Sequence, residues 1–527
     1  MTAARRLSAL PALCLGLLLA ASAALAPGPA LASDPRATLT LVRGGDSITL
    51  DPARASDSES TLVVGQVCEG LVRMKDNSLK VEPALAESWT VSPDGLAWTF
   101  RLRKGVAFHD GSPMNAQAAA TSIMRQVDPA HPFHAPGMFT AKSLFEHVAG
   151  CDALDETTLR IRLQRPSASL LYSLTASQAP IISPLALATW GAEVASHPVG
   201  TGPFKFVEWR RGDSITLVRN PGYWGGAPRL ERLVIRTVPD AGARFLEFQT
   251  RRADAMTGIP PSDLPLLEKM PGVQLLRVAG LNIAYLGLNT RRGPLRRSAV
   301  RRAVLLALDR EALTRLVFGA TASPAASMIP PALMDTGFVA DEGRAKGDQA
   351  LARRLLAQEG LGRGFEAVLQ VMDIPRPYLP EPRRMAQAIR QALAGVGIRV
   401  RIVTVPWADY VPRAGKGEHD LVLTGWTFDA PNPHELLRYK LGWDSSGNFS
   451  LWHDERFQTL VNQAEASRDE GERSGLFRQI LRLIATEAPA VPLAHVRDTL
   501  ALREDIQGVT LQPTGAAIRF AKAHREP

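Results

Sequence analysis

Strand and helix signals interleave along nearly the whole chain, and that ordering leaves few architectures open. Leu96, Trp98, Phe100 and Leu102 alternate with Ala97, Thr99, Arg101 and Arg103 behind a Pro93-Asp94-Gly95 turn, the period of a half-buried hairpin strand. Leu159, Ile161 and Leu163 repeat the alternation before Pro166. Residues 38–42 predict a short strand ahead of a Gly44-Gly45-Asp46 turn, and 233–238 predict another before a helical pattern around Phe245, Leu246 and Phe248. Val300, Ala303, Val304, Ala307 and Leu308 recur at helical spacing in a segment closed by Gly319. Asp348 suits the cap of a helix ending at Gly360, Pro382 the first turn of one ending near Gly395, and 399–405 a strand. Helices over 457–466 and 476–484 and a short strand over 491–496 complete the pattern. The class is α/β throughout.

The N-terminus carries Arg5 and Arg6, an apolar run from Leu7 to Leu25, and Ala30-Leu31-Ala32 before a polar stretch. This is the layout of a signal peptide over 1–32 with cleavage after Ala32, and Pro11, Pro27 and Pro29 suit a removable leader better than a membrane span. Cys14 follows Leu13 rather than a small residue, which argues against a lipid anchor. The expected location is therefore periplasmic. The remaining stretch, 527 less 32 or about 495 residues, exceeds what one core supports, so two lobes are expected.

The net charge of +9 is mostly arginine spread along the chain. Arg291-Arg292 and Arg301-Arg302 are expected to be solvated helix faces rather than a nucleic-acid footprint. Cys68 and Cys151 follow the leader, and an oxidising compartment permits a disulfide between them, with two buried thiols as the alternative. Their spacing fits no metal pattern, and neither cofactor nor metal is expected.

Several segments carry a family likeness. They are Cys68-Glu69-Gly70-Leu71, Pro83-Ala84-Leu85-Ala86-Glu87-Ser88-Trp89, Asp94 to Phe100 leading to Phe108-His109-Asp110-Gly111, and Gly200-Thr201-Gly202-Pro203-Phe204. Arg219-Asn220-Pro221-Gly222-Tyr223-Trp224, Asn282 to Asn289 and Ala303 to Arg310 follow. In this order they resemble the solute-binding proteins of ABC importers of the peptide and nickel type (family 5), most nearly the periplasmic dipeptide-binding proteins. The resemblance covers roughly 38–515. It implies a two-lobed periplasmic binding protein fold of the cluster C type, with an extra subdomain in the N-terminal lobe and a hinged cleft. The expected division is 33–66, 200–280 and 499–527 for the first lobe, 67–199 for its subdomain and 281–498 for the second lobe.

Alone, a loop arginine such as Arg376 reads as a surface charge and Asp429, near Pro431, as a turn residue. The resemblance changes that. It implies that Arg376, in Pro375-Arg376-Pro377-Tyr378, holds a peptide's carboxylate, and that Asp429, three residues after Trp426, holds its ammonium. The chemistry agrees, because desolvating both ends of a zwitterion is costly unless each meets an opposite charge. A tripeptide's carboxylate would lie about 3.3–3.6 Å further out, enough to lose one ion pair. Pro375 and Pro377 stiffen the loop around Arg376, which preorganises it. Trp407, Trp426 and Tyr378 are expected as cleft walls, and Gly44, Gly45 and Gly425 as places where an extended peptide approaches strand backbone. One departure stands out: dipeptide-binding relatives continue past the aspartate with acidic residues, where this chain has Ala430-Pro431-Asn432-Pro433-His434.

The implied role is binding and delivery to a membrane permease by a monomer, without nucleic acid and without catalysis. Alternatives within the family are a longer peptide, glutathione, haem, a nickel chelate or an opine. An exported hydrolase is disfavoured: there is no Gly-x-Ser-x-Gly elbow, and His434-Glu435 has Arg438 where a second metal-binding histidine would stand.

Overall fold

The computed structural model describes residues 37–526 apart from Asn77, 135–143, 334–345, Asp429, Arg468 and 515–517. The leader, and with it the expected cleavage site, lies outside the described residues. Among the described residues no helix is long and apolar enough to cross a membrane.

The elements used below are, in chain order, β1 (Thr38–Arg43), α1 (Ser58–Val67), β2 (Ala86–Val91), β3 (Ala97–Leu102), α2 (Ala116–Val127), β4 (Val148–Asp155), β5 (Thr158–Leu163), β6 (Phe204–Arg210), β7 (Ser214–Arg219), β8 (Arg232–Thr237) and α3 (Ala241–Gln249). Then come β9 (Ala255–Met256), β10 (Val273–Ala279), β11 (Asn282–Leu288), α4 (Ser298–Ala307), α5 (Arg310–Phe318), β12 (Ala322–Pro324), α6 (Gln349–Gln358), β13 (Glu366–Met372), α7 (Pro382–Ala394) and β14 (Arg399–Val405). The last are α8 (Trp407–Lys416), β15 (Leu421–Thr427), α9 (Pro433–Leu441), α10 (Glu455–Ala466), α11 (Glu470–Glu487) and β16 (Ala490–Arg503).

A 12-stranded mixed sheet runs β14-β13-β15-β11-β16-β9-β1-β8-β7-β6, with β10 and β12 also pairing β16. β16 runs through the middle of this sheet and pairs strands on either side of it. Residues Ala490 to Ala494 pair β11, and Arg497 to Arg503 pair β10. The parallel β13–β14 and β13–β15 pairs are connected through helices; β13 and β15 are largely buried, whereas β14, at the sheet's edge, buries only Val405 fully. A separate antiparallel sheet, β2-β3-β5-β4, forms the extra subdomain with α2 against it. Trp98, Phe100, Leu102, Leu159, Ile161 and Leu163 are all buried there, the apolar face that their alternation predicts. Gly95 makes the turn at φ +74°, where a side chain would be strained.

Three local readings need correction. The helical stretch from Val300 to Gly319 is two helices, because Leu308 leaves helical geometry and Asp309 caps α5 by accepting from the Ala312 N–H at 2.8 Å. Arg301 is not solvated: its guanidinium is buried and donates to the Glu487 carbonyl (2.7 Å) and carboxylate (3.1 Å), tying α4 to α11. The strand predicted over 491–496 continues to Arg503, 14 residues in all. Cys68 and Cys151 are free thiols. Burial raises both, Cys151 to about 12, so neither is a nucleophile at neutral pH.

Candidate ligand-binding site

β13 ends at Met372, and the chain then turns tightly through Pro377 and Tyr378. The Arg376 N–H donates to the Leu379 carbonyl (3.1 Å) and the Leu379 N–H returns a bond to the Arg376 carbonyl (2.8 Å). This pair of bonds and the two prolines fix the arginine's backbone. Its guanidinium lies 4.4 Å from the ring centre of Trp407, the first residue of α8. Trp407 in turn stacks on Tyr410 (5.6 Å between centroids, planes 14° apart), whose hydroxyl donates to the Leu423 carbonyl of β15 at 2.7 Å. A flat cation on a flat aromatic face keeps its edge N–H groups available for a planar anion. Arg376 Nε is buried and has no hydrogen-bond partner among the described residues.

Tyr378 is buried against Gly425 of β15. A Cβ at Gly425 would collide with the Tyr378 ring and with the Ile283 carbonyl, so glycine is required by close packing here. Burial raises the Tyr378 hydroxyl above its ordinary value, while Arg376 and Thr424 beside it oppose the shift. The structure thus brings Arg376, Tyr378, Trp407 and Gly425 together around the ends of β13 and β15.

Trp426, next on β15, belongs to a different cluster. Its ring meets Tyr439 (4.9 Å), and Lys440 Nζ lies 4.3 Å from its centre. Asp429 lies outside the described residues. Its neighbours Phe428 and Ala430 are both buried, and Asn432 caps α9 by accepting from the His434 N–H at 3.1 Å.

Gly44 and Gly45 directly follow β1. Their approach is to nearby charged side chains: a Cβ at Gly44 would sit 3.3 Å from an Arg244 guanidinium nitrogen, and one at Gly45 would sit 3.3 Å from Glu59 Cγ. Burial pushes the Glu59 carboxyl up to about 7 against the opposing pull of Arg43, which bonds the Glu59 carbonyl. Sequence reasoning did not find this Arg43, Glu59 and Arg244 group, nor the aromatic surroundings of Lys440. Gly-Gly-Asp reads as a turn and Arg-Tyr-Lys at a helix end as a solvated basic tip, so no local signal marked either.

Among the described residues no cluster of three or more His, Cys, Asp or Glu side chains could hold a metal ion. His434 pairs with Glu465, Nδ1 to Oε2 at 3.1 Å, and Arg438 pairs with Glu146.

The model of the bacterial extracellular solute-binding proteins, family 5 (middle region), matches residues 80–448. A heme-binding protein A of Haemophilus influenzae is 34% identical over 468 residues, covering 85% of this chain and 85% of its own. A dipeptide-binding protein of Escherichia coli is 32% identical over 464 residues, covering 84% and 86%. Among solved structures, a dipeptide-binding protein of Pseudoalteromonas sp. SM9913 in complex with Met-Leu superposes with a TM-score of 0.81 at 26% identity, covering 93% of this chain and 100% of that one. The two-lobed mixed sheet, the ordered motifs and these likenesses together place the chain in the bacterial extracellular solute-binding proteins of family 5.

Proposed function

We propose that this protein is the extracytoplasmic binding component of an ABC importer that captures free dipeptides between its lobes and delivers them to a membrane permease, acting as a monomer and without catalysis. In this reading the lobe and subdomain boundaries are those expected from the sequence. Arg376 takes the ligand's carboxylate, Asp429 its ammonium, and Trp407, Tyr378, Gly425 and Trp426 line the second lobe's side. Gly44 and Gly45 line the first.

The observation that carries the reading is Arg376: a guanidinium held on Trp407, fixed by a closed backbone turn, with a buried N–H that has no partner among the described residues. A buried donor left unpaired is costly, and a carboxylate arriving there gains two charge-assisted bonds at little further entropic expense. The relatives named for dipeptides support the cargo.

Free dipeptides at a hundredfold excess over Kd are expected to stabilise the protein by about 2.7 kcal/mol, visible as a raised Tm. N-acetylated or C-amidated dipeptides should do so far less, because each leaves one charged subsite unpaired. Asp429→Ala should weaken binding of the free dipeptide by about 3–5 kcal/mol. Equal stabilisation by blocked and free dipeptides in the same thermal scan would overturn the two-ended reading.

A further inference from the structure

The stretch that departs from the dipeptide-binding pattern, Ala430 to His434, is engaged with the other lobe. Ala430 is fully buried within the core of the four-stranded subdomain, among residues such as Leu71, Ile181 and Leu170. His434, at the start of α9, faces Glu465 on α10 (Nδ1 to Oε2, 3.1 Å). The second oxygen of Glu465 accepts from two hydroxyls of the loop after β5, Ser167 Oγ and Ser169 Oγ, each at 2.5 Å, and its backbone carbonyl accepts from the Ala168 N–H at 3.1 Å. Glu465 is 4% exposed. A second tie stands one turn along α9, where Arg438 pairs with Glu146 of the subdomain.

We infer that Glu465 is a positioning residue for ligand capture: it anchors the beginning of α9, and with it the segment running from Ala430 to His434, against the four-stranded subdomain. The inference rests on the proposed role of Asp429, the residue that precedes this segment in the sequence. Three donors, two from one loop and one from the start of a helix, converge on one carboxylate, so the carboxylate's place fixes theirs. Burial keeps His434 below its ordinary value and therefore neutral, so its Nδ1–H donates to Glu465 and no buried cation needs a partner. The departure from the acidic pattern then has a physical reason. Small and rigid residues, Ala430, Pro431 and Pro433, let the segment enter the subdomain's core, where acidic side chains would be stranded. Glu465 touches no ligand; it acts through the segment it holds.

The test is a double-mutant cycle read by calorimetry with a free dipeptide mixture. Glu465→Ala is expected to raise Kd about 10- to 100-fold, and on an Asp429→Ala background to change it by less than about threefold, since residues acting through one group are not additive. Glu465→Gln should stay within about threefold of the parent. Its amide oxygen still accepts from Ser167 and Ser169, and its NH2 donates to His434 once the imidazole proton moves to Nε2. Glu465→Met, which keeps the volume without the acceptor oxygens, should lose as much as Glu465→Ala; restoration by methionine would show a mere loss of packing and overturn the positioning role. Equal losses from Glu465→Ala on both backgrounds, or no loss at all, would overturn the positioning role. A parent protein that binds no dipeptide would instead overturn the proposed function. In that case amide exchange of 430–438 decides the present inference: faster exchange in Glu465→Ala upholds it and unchanged exchange overturns it.

Discussion

Lys440 shows how much a single side chain carries unseen. Its ammonium lies 4.3 Å from the ring centre of Trp426, 4.6 Å from Tyr439 and 5.4 Å from Phe449. Burial lowers it to about 7, whereas in the unfolded chain a lysine titrates near about 10.4. Between these values the unfolded chain binds more protons, so stability rises with pH across that window, and below about pH 7 the folded chain bears the full cost of a buried charge. Lys440→Met is therefore expected to stabilise by about 1–4 kcal/mol at pH 6, and by much less at pH 10. Urea unfolding at the two pH values checks it, and a gain independent of pH would show that the charge is not the cause. The sequence pointed to Arg376 because two prolines and a family motif frame it. Nothing similar frames Lys440 or Glu465. Ser167, one of Glu465's partners, stands 298 positions away in the chain, and such pairings follow from the fold alone.

At the scale of elements, four of the family's motifs meet in one cluster. Glu69 accepts hydrogen bonds from Thr201 Oγ1 (2.8 Å), the Tyr223 hydroxyl (2.7 Å) and Trp224 Nε1 (2.8 Å), joining three segments that the sequence shows only as an ordered series. His109 Nε2 lies 2.9 Å from the Gly202 carbonyl and adds a fourth. These motifs were legible because each needs particular residue types to close that cluster. The length of β16 was not. Its first part is buried on both faces, its middle carries Arg497 and Asp498, and no single period spans both environments. The split between α4 and α5 was hidden for a related reason, since apolar spacing continues through Leu308 although the backbone does not. The Gly425 strand supplies the prediction proper to this scale. Gly425→Ala places a methyl group on the Tyr378 ring and the Ile283 carbonyl, so β15 and β11 must part or the tyrosine must move. We expect a loss of about 1–3 kcal/mol in urea unfolding together with weaker dipeptide binding, because the displaced ring adjoins Arg376. Loss of stability with unchanged affinity would separate Tyr378 from the ligand site.

The whole molecule turns on where the chain passes between lobes. β10 and β11 are joined through Gly280 and Leu281, and β16 passes beside them. There Asn282 pins the crossing: its side-chain oxygen accepts from the Val496 N–H (2.7 Å) and its amide donates to the Val496 carbonyl (2.8 Å). A Cβ at Gly280 would collide with that amide and carbonyl and come within 3.0 Å of the Asp498 carboxyl, which burial pushes up to about 7. A crossing so closely packed can swing by small dihedral changes in a few residues but cannot stretch, which is the condition for a hinge rather than a flexible linker. Ligand bound to both lobes favours the closed arrangement only by its differential affinity for it. In the proposed reading Arg376 and Asp429, both within 281–498, hold the ligand in place for contact with the other lobe, so a ligand that loses either partner drives closure less. Small-angle scattering should accordingly show a smaller radius of gyration when free dipeptide is added to the parent protein, and no change for Asp429→Ala at the same ligand concentration. If calorimetry shows dipeptide bound while the parent's radius stays constant, the lobes do not close on the ligand, and capture must then rest on the second lobe alone, which supplies both Arg376 and Asp429.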